Sequence, residues 1–325
     1  MGFSTDTYQS FDEQAIFYYQ WKADESIPFK GVVQIAHGIG EHAGRYKSIA
    51  KKFQKQGFDV YANDHRIHGK SAKSNEYLGF YDGEDYFSDA IEDMRKLTEV
   101  IKKEHPNKKI ILLGHSMGSL LSREYVTKYG ADLEALILSG TAAFMKGLGS
   151  FGLISTEFFS KINGKHRSNE ILKNLFFNQF NKKFKPNRTK VDWISSDEKQ
   201  VDKFEADPLR IEDFSLGVFR DILKGSKKIN KPEMFETTPK NLPIYIFSGD
   251  KDPVGEMGKG VKKVAKNYKK AGIEDLTLKL YKGGRHEMLN EVNKKEVQQD
   301  LLNWLNERIE ACLLYTSDAA DEEDS

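Results

Sequence analysis

Residues 110–118 read IILLGHSMG, an aliphatic run that ends in a serine with a glycine two places away on either side. A serine so placed, between a strand-like and a helix-like run, suits a sharp strand-to-helix turn. Such a turn holds its middle residue in strained backbone angles. Side chains at Gly114 and Gly118 would clash there, which explains the glycines. The strain lifts the hydroxyl of Ser116 above the sheet edge as a nucleophile. It also sets the backbone N–H of Met117 at a helix N-terminus, where a negative oxygen is stabilised.

A serine hydroxyl is a weak nucleophile; it needs a base, and the base needs an acid to orient it. With this kind of turn the chain order is Ser, then Asp or Glu, then His. His286, in GGRHEML (283–289), is the only histidine beyond position 166. Asp250 and Asp252 compete for the acid in SGDKDPVG (248–255). Asp252 lies further into its loop, just before Pro253, and is the better placed to reach across. A developing oxyanion needs a second donor besides Met117. The loop AHGIGEHAGRY (36–46) turns on Gly38 and Gly40 and can present the N–H of Ile39 beside the serine. Each such donor is worth about 3 to 4 kcal/mol in the transition state.

Other reactive side chains have simpler readings. Glu41 and Arg45, four apart, suit an ion pair that braces this loop. His37 is expected behind the loop, and His115 as a structural residue of the turn. Asp64, His65 and His68 lack a metal-binding spacing such as H-E-x-x-H, so no metal is expected.

The elements that must position these residues alternate. Strand-like runs cover GVVQIAHG (31–38), FDVYAND (58–64), KKIILLG (108–114), LEALILSG (133–140), LPIYIFSGD (242–250) and DLTLKLYKGG (275–284). Helix-like runs lie between them, at 44–57, 85–104, 116–129, 256–271 and 294–309. Continuous apolar strands alternating with helices predict an α/β domain with a mostly parallel sheet covered on both faces. AIFYYQWKA (15–23) alternates and reads as an antiparallel edge strand. The rhythm breaks over 141–240, which offers no convincing strand and reads as a helical cap over the C-terminal ends of the strands, where ligands bind in such sheets. The predicted plan is a discontinuous core, 1–140 with 241–311, and a cap over 141–240.

The 325 residues carry a net charge of +1, which gives no case for a nucleic-acid partner. A single cysteine allows no internal disulfide and suits a reducing, cytoplasmic compartment. The first residues do not resemble a signal peptide, and no run approaches a membrane span. CLLYTSDAAD (312–321) resembles a translated sequencing-library adapter, so 312–325 is expected to be a non-native or disordered tail.

Taken together, HGIGEHAGRY (37–46), DHRIHGKS (64–71), GHSMG (114–118), SGDKDPVG (248–255) and GGRHEML (283–289) resemble the monoacylglycerol lipase and lysophospholipase branch of the α/β-hydrolase fold, its bacterial members most of all. The resemblance covers most of the chain outside the cap and tail. It implies a cofactor-free ester hydrolase with the cap inserted after the sixth strand. It also implies a triad of Ser116, Asp252 and His286 and oxyanion donors at Ile39 and Met117. Ile67 stands where the family's DHRGHGKS pattern has glycine, a departure that bears on the local turn. The substrate expected is a monoacylglycerol or similar lipid ester, with Phe144, Met145, Leu148 and Phe151 of the cap lining the acyl pocket; the alternatives are a small-ester carboxylesterase, an aminopeptidase-like or C–C bond hydrolase on the same scaffold, and a binding protein that uses the pocket as a receptor. Residues 161–190 hold nine Lys or Arg against one acid, interleaved with Phe176, Phe177, Phe180 and Phe184. That segment suggests peripheral contact with an anionic membrane, set against a plain buried phenylalanine stripe.

Overall fold

A computed structural model describes residues 1–168 and 178–323, the side chains of Asn163 and of 310–323 excepted. The strands are β1 (Gly2–Gln9), β2 (Ala15–Lys22), β3 (Gly31–Ala36), β4 (Phe58–Asn63), β5 (Ile110–His115), β6 (Leu133–Ser139), β7 (Ile244–Gly249) and β8 (Leu276–Tyr281). They form one sheet in the order β1-β2-β4-β3-β5-β6-β7-β8. From β4 to β8 all neighbours run parallel, and β1 and β2 are antiparallel additions at one edge. The predicted edge strand at 15–23 is therefore second from the edge. The true edge, β1, is exposed at all but one of its positions, so no buried face marked it in the sequence.

β3, β4, β5 and β7 are buried at every residue. Buried on both faces, such strands show no alternation, which is why they read as continuous apolar runs. Helices α1 (Lys47–Gln54), α2 (Tyr86–Glu104), α3 (Met117–Tyr129), α8 (Lys259–Lys270) and α9 (Lys294–Glu323) flank the sheet. One core layer joins Ile91, Met94, Leu121, Tyr125 and Val264 of α2, α3 and α8. The other joins Ile49, Phe53, Leu301 and Leu305 of α1 and α9. α9 runs to Glu323, past the end near Ile309 that the sequence suggests. No helix among the described residues is long and apolar enough to cross a membrane.

The chain winds from β3 outward to β4, then returns to lay β5 on the other side of β3. Where the winding reverses, the loops after β3 and β5 separate and leave a crevice. Those loops carry Ile39 and Ser116. The loop after β4 is pinned to α2 by a wholly buried ion pair, with Arg66 Nε 2.6 Å and Nη2 2.7 Å from the carboxylate of Asp93.

Between β6 and β7 come α4 (Lys146–Asn163), α5 (Glu198–Glu205), α6 (Leu216–Ile229) and α7 (Pro232–Glu236), with short 3-10 turns and no strand among the described residues. α4 packs on α6, and α6 rests on α2 and α3. Trp193, Ile194, Val201 and Phe204 form a small core of their own, against which Phe180 and Phe184 pack. Arg123 of α3, buried with no carboxylate on it among the described residues, donates to the carbonyl of Ala142 (2.9 Å) and to that of Ile229 (3.0 Å). One guanidinium thus holds the points where this inserted region leaves the core and nears its return.

Candidate active site

Ser116 sits between β5 and α3 with φ 51° and ψ −117°, a conformation that costs a non-glycine residue energy. The surrounding packing explains why it persists. A Cβ on Gly118 would overlap the carbonyl oxygen of Ala36 in β3, and one on Gly114 would overlap the Gly118 carbonyl and the Ser122 hydroxyl. Ser116 N–H donates to the Ser139 carbonyl at 2.9 Å.

Of the two competing acids, the structure brings Asp252 to His286, with Oδ1 3.0 Å from Nδ1. Asp250 turns away and accepts the N–H of Gly283 at 2.8 Å. Asp252 also accepts the Ser248 hydroxyl (2.7 Å) and the Val254 N–H (2.9 Å). Burial pushes its carboxyl up, but the charge of His286 and these hydrogen bonds outweigh burial and hold it below the usual carboxylate value. Burial pulls the His286 imidazole down, but Asp252, helped by Glu287 and Glu41, lifts it above the ordinary histidine value. Nε2 of His286 is buried with no hydrogen-bond partner among the described residues. It does not bond Ser116 here; in substrate-free sites that bond is often long and tightens when substrate binds. Gly140, at φ 59°, leaves room for the imidazole, because a Cβ there would lie 3.0 Å from its Cε1.

Ile39 lies in the loop after β3, on the same cavity as Ser116, and Met117 follows the serine as the first residue of α3. Neither N–H donates to any group among the described residues. Gly38 is held on both sides: its N–H donates to Glu41 Oε1 at 2.7 Å, and its carbonyl lies 2.7 Å from His37 Nδ1. Glu41 in turn takes the Tyr46 hydroxyl (2.7 Å) and the guanidinium of Arg45. Arg45 also makes a two-pronged pair with Glu287 at 2.9 and 2.7 Å. The expected pair of Glu41 and Arg45 is thus part of a larger bridge, tying the loop after β3 to the residue next to His286. Arg45 is what holds the buried Glu287 carboxyl down to about 2, against the upward push of burial.

His37 is fully buried as expected, and burial followed by the nearby His65 and His68 pushes its ring well below the usual histidine value. Burial takes His115 down to about 4. No group of His, Cys, Asp and Glu among the described residues is arranged to hold a metal. Ile67, where the family pattern has glycine, adopts φ 65°, in the left-handed region that glycine favours.

A cavity of about 210 Å³ opens over Ser116 and His286. Ile39, Val191, Trp193, Ile194, Phe204, Ile211 and Phe214 give it apolar walls, and Asn178, Lys190, Arg210 and Glu212 add polar groups. Phe144, Met145, Leu148 and Phe151 do not line it, contrary to expectation. The 191–214 stretch folds over the serine instead, while α4 turns outward and leaves Phe151 53% exposed. Phe180 and Phe184 pack the small core of this region, and Phe176 and Phe177 lie outside the described residues.

This sheet, with its reversal point and a strained serine under a helical insertion, defines a serine hydrolase of the α/β-hydrolase class. The model of the serine aminopeptidase family S33 matches residues 27–293, and the chain belongs to that family. It is 31% identical to the monoacylglycerol lipase of Mycolicibacterium smegmatis over 89% of this chain and 92% of that one. It is 26% identical to the monoglyceride lipase of Homo sapiens over 91% and 88%. Among solved structures it is similar to a thermostable carboxyl esterase from Bacillus coagulans, crystallised with glycerol, at TM-score 0.88 and 29% identity over 95% of this chain and 99% of that one.

Proposed function

We propose that the protein is a serine esterase that cleaves monoacylglycerols or similar lipid monoesters, lysophospholipids included, through an acyl-enzyme on Ser116. The observation that carries this reading is the cavity: a chamber with apolar side chains on much of its wall and with Ser116, His286 and Ile39 lining it. Ser116 Oγ attacks the ester carbonyl carbon while His286 Nε2 takes its proton. The N–H groups of Ile39 and Met117 receive the oxyanion, and Asp252 fixes the imidazole tautomer and balances its charge. His286 then protonates the departing alcohol, and water activated by the same nitrogen releases the acid. The similarity to monoacylglycerol lipases supports glycerol as the alcohol.

The family's description names an aminopeptidase, but a peptide's ammonium would need a free carboxylate. Glu41 and Glu287 are spent on Arg45, and Glu212 pairs with Arg210 at 2.9 Å. A panel of monoacylglycerols, lysophospholipids, short nitrophenyl esters and aminoacyl anilides decides the matter. Preference for long-chain monoesters is expected; preference for anilides or acetyl esters overturns the reading.

The core is read as 1–140 with 241–311 and the cap as 141–240. The protein is read as cytoplasmic, with the cap touching lipid. α4 exposes Phe151, Ile154, Phe158 and Ile162 at spacings that place them along one helix face. Such a face suits a lipid surface from which substrate enters. Co-sedimentation with anionic vesicles should fall at least about fivefold in Ile154→Asp/Phe158→Asp, with soluble-ester turnover retained. Unchanged sedimentation rejects lipid contact through α4.

A further inference from the structure

The imidazole of His286 is flanked by two other rings. That of His115, from the turn carrying Ser116, has its centroid 4.8 Å away. That of Trp193, from the cap, lies 5.2 Å away at an interplanar angle of 41°. Trp193 does not belong to a loose lid, because its segment is sewn to the histidine loop. Glu287 N–H donates to the Ile194 carbonyl at 2.7 Å, and Arg285 donates to the carbonyls of Asp192 and Ser195. The Ser195 hydroxyl donates to the Asn290 carbonyl at 3.0 Å, and Ser196 N–H to Glu291 at 2.9 Å. The carboxylate of Glu291 also takes the N–H of Arg285 at 2.8 Å. Residues 192–196 and 285–291 therefore form one hydrogen-bonded unit, although about ninety positions of sequence separate them.

We infer that Trp193 is a positioning residue for the base: its indole holds the His286 imidazole in place and stabilises it when it carries a second proton. This rests on the reading of His286 as the base. The face of an indole attracts a cation whose centre lies within about 6 Å, more strongly where water is excluded. The imidazolium exists only while the proton is in transit, so the attraction grows toward the transition state and lowers the barrier. The other charged and titratable groups facing His286 act differently. Asp252 holds Nδ1, while Glu41 and Glu287 act from further off and are tied to Arg45. His115 remains neutral until about pH 4. Ser116 donates the proton in question, and Lys190, Arg210 and Glu212 stand on the cavity wall. Trp193 also excludes water, which by itself disfavours the imidazolium. Leucine at this position keeps much of that burial and removes the aromatic face, so it separates the two effects.

The test measures kcat and KM against pH, with a soluble nitrophenyl ester, for the native protein, Trp193→Leu and Trp193→Phe. His286 is titrated in parallel by NMR in proteins that also carry Ser116→Ala. In Trp193→Leu, kcat is expected to fall about three- to tenfold, more than KM changes, and the acid limb to move about half a unit or more to lower pH. The His286 titration should move with it. Trp193→Phe, which keeps a weaker aromatic face, should fall between; if the leucine variant fails to fold, the phenylalanine variant must show the same direction of shift. An unmoved acid limb and titration, with changes confined to KM, make Trp193 an ordinary wall residue and overturn the inference. His286→Ala separates the two levels: if that variant still turns over, the base assignment itself falls, whereas an inactive His286→Ala beside an unmoved Trp193→Leu profile removes only the role of the indole.

Discussion

At the scale of residues, two aspartates two positions apart make opposite predictions. Asp252→Asn should lower kcat by roughly 10³- to 10⁴-fold with a small change in KM, because the amide supports the wrong tautomer of His286. Asp250→Asn, which at most weakens the loop hydrogen bond from the Gly283 N–H by replacing a charged acceptor with a neutral one, should stay within about threefold in kcat. Steady-state kinetics on the purified variants checks both. The pH dependence follows from the same pair. As the proposed base, His286 must be neutral to accept a proton, and its folded-state pKa is raised. kcat/KM is therefore lost as pH falls through a value above that of ordinary histidine. In Asp252→Asn the main lifting charge is gone and burial dominates, so the residual activity should persist to lower pH. A profile whose acid limb stays in place in this variant contradicts the assignment. The sequence already favoured Asp252, from its position before Pro253, but what separates the two acids is direction: one carboxylate points at the imidazole and the other caps a turn.

At the scale of elements, the β5–α3 turn is closely confined by its neighbours. Gly118→Ala would drive a methyl group into the backbone of β3, and backbone cannot step aside as a flexible side chain can. A loss of at least about 2 kcal/mol of stability is expected, read as a lowered Tm or as failure to fold. A thermal melt equal to that of the native protein refutes the close contact. The crowding at Gly114 is local, whereas what Gly118 must clear is the neighbouring strand β3, yet the glycine spacing made this turn legible in the sequence. The acyl-pocket lining was not. Phe144, Met145, Leu148 and Phe151 suit a pocket by type, yet α4 faces outward and the walls come from 191–214. Composition shows that a segment holds apolar groups; it does not show which of its helices covers the serine.

At the scale of the whole molecule, Arg45 joins loops from opposite ends of the chain through Glu41 and Glu287. Arg45→Met would strand two buried carboxylates, at a cost of about 3 to 5 kcal/mol. The pH dependence of that cost has a definite sign. With Arg45 present, the folded-state pKa of Glu287 is depressed to about 2. Its stabilisation is thus full above the unfolded value of about 4.3 and fades only as pH falls toward 2. Without Arg45, burial is left to raise that pKa above the unfolded value, so the variant should lose stability as pH rises. Melting curves from pH 4 to pH 8 should show the gap between native and variant proteins widening upward. A constant or narrowing gap contradicts the bridge.

The sequence by itself determined the class of fold and the serine turn, and it set out the expected order of serine, acid and base and the loop proposed to stand beside the oxyanion. Each of these is written in short-range terms: strand and helix periods, glycines where a backbone leaves no room, and residue types bound to one chemistry. Tertiary structure set Asp252, which the sequence only favoured, against His286, and it alone decided which residues between β6 and β7 roof the serine and that Trp193 and Glu287 stand beside that histidine. It also decided that Arg123 and Arg66 are buried at all. Those facts depend on groups brought together across tens to hundreds of positions, where the energy lies in burial and in the direction of a few hydrogen bonds. Neither quantity leaves a period or a spacing in the chain.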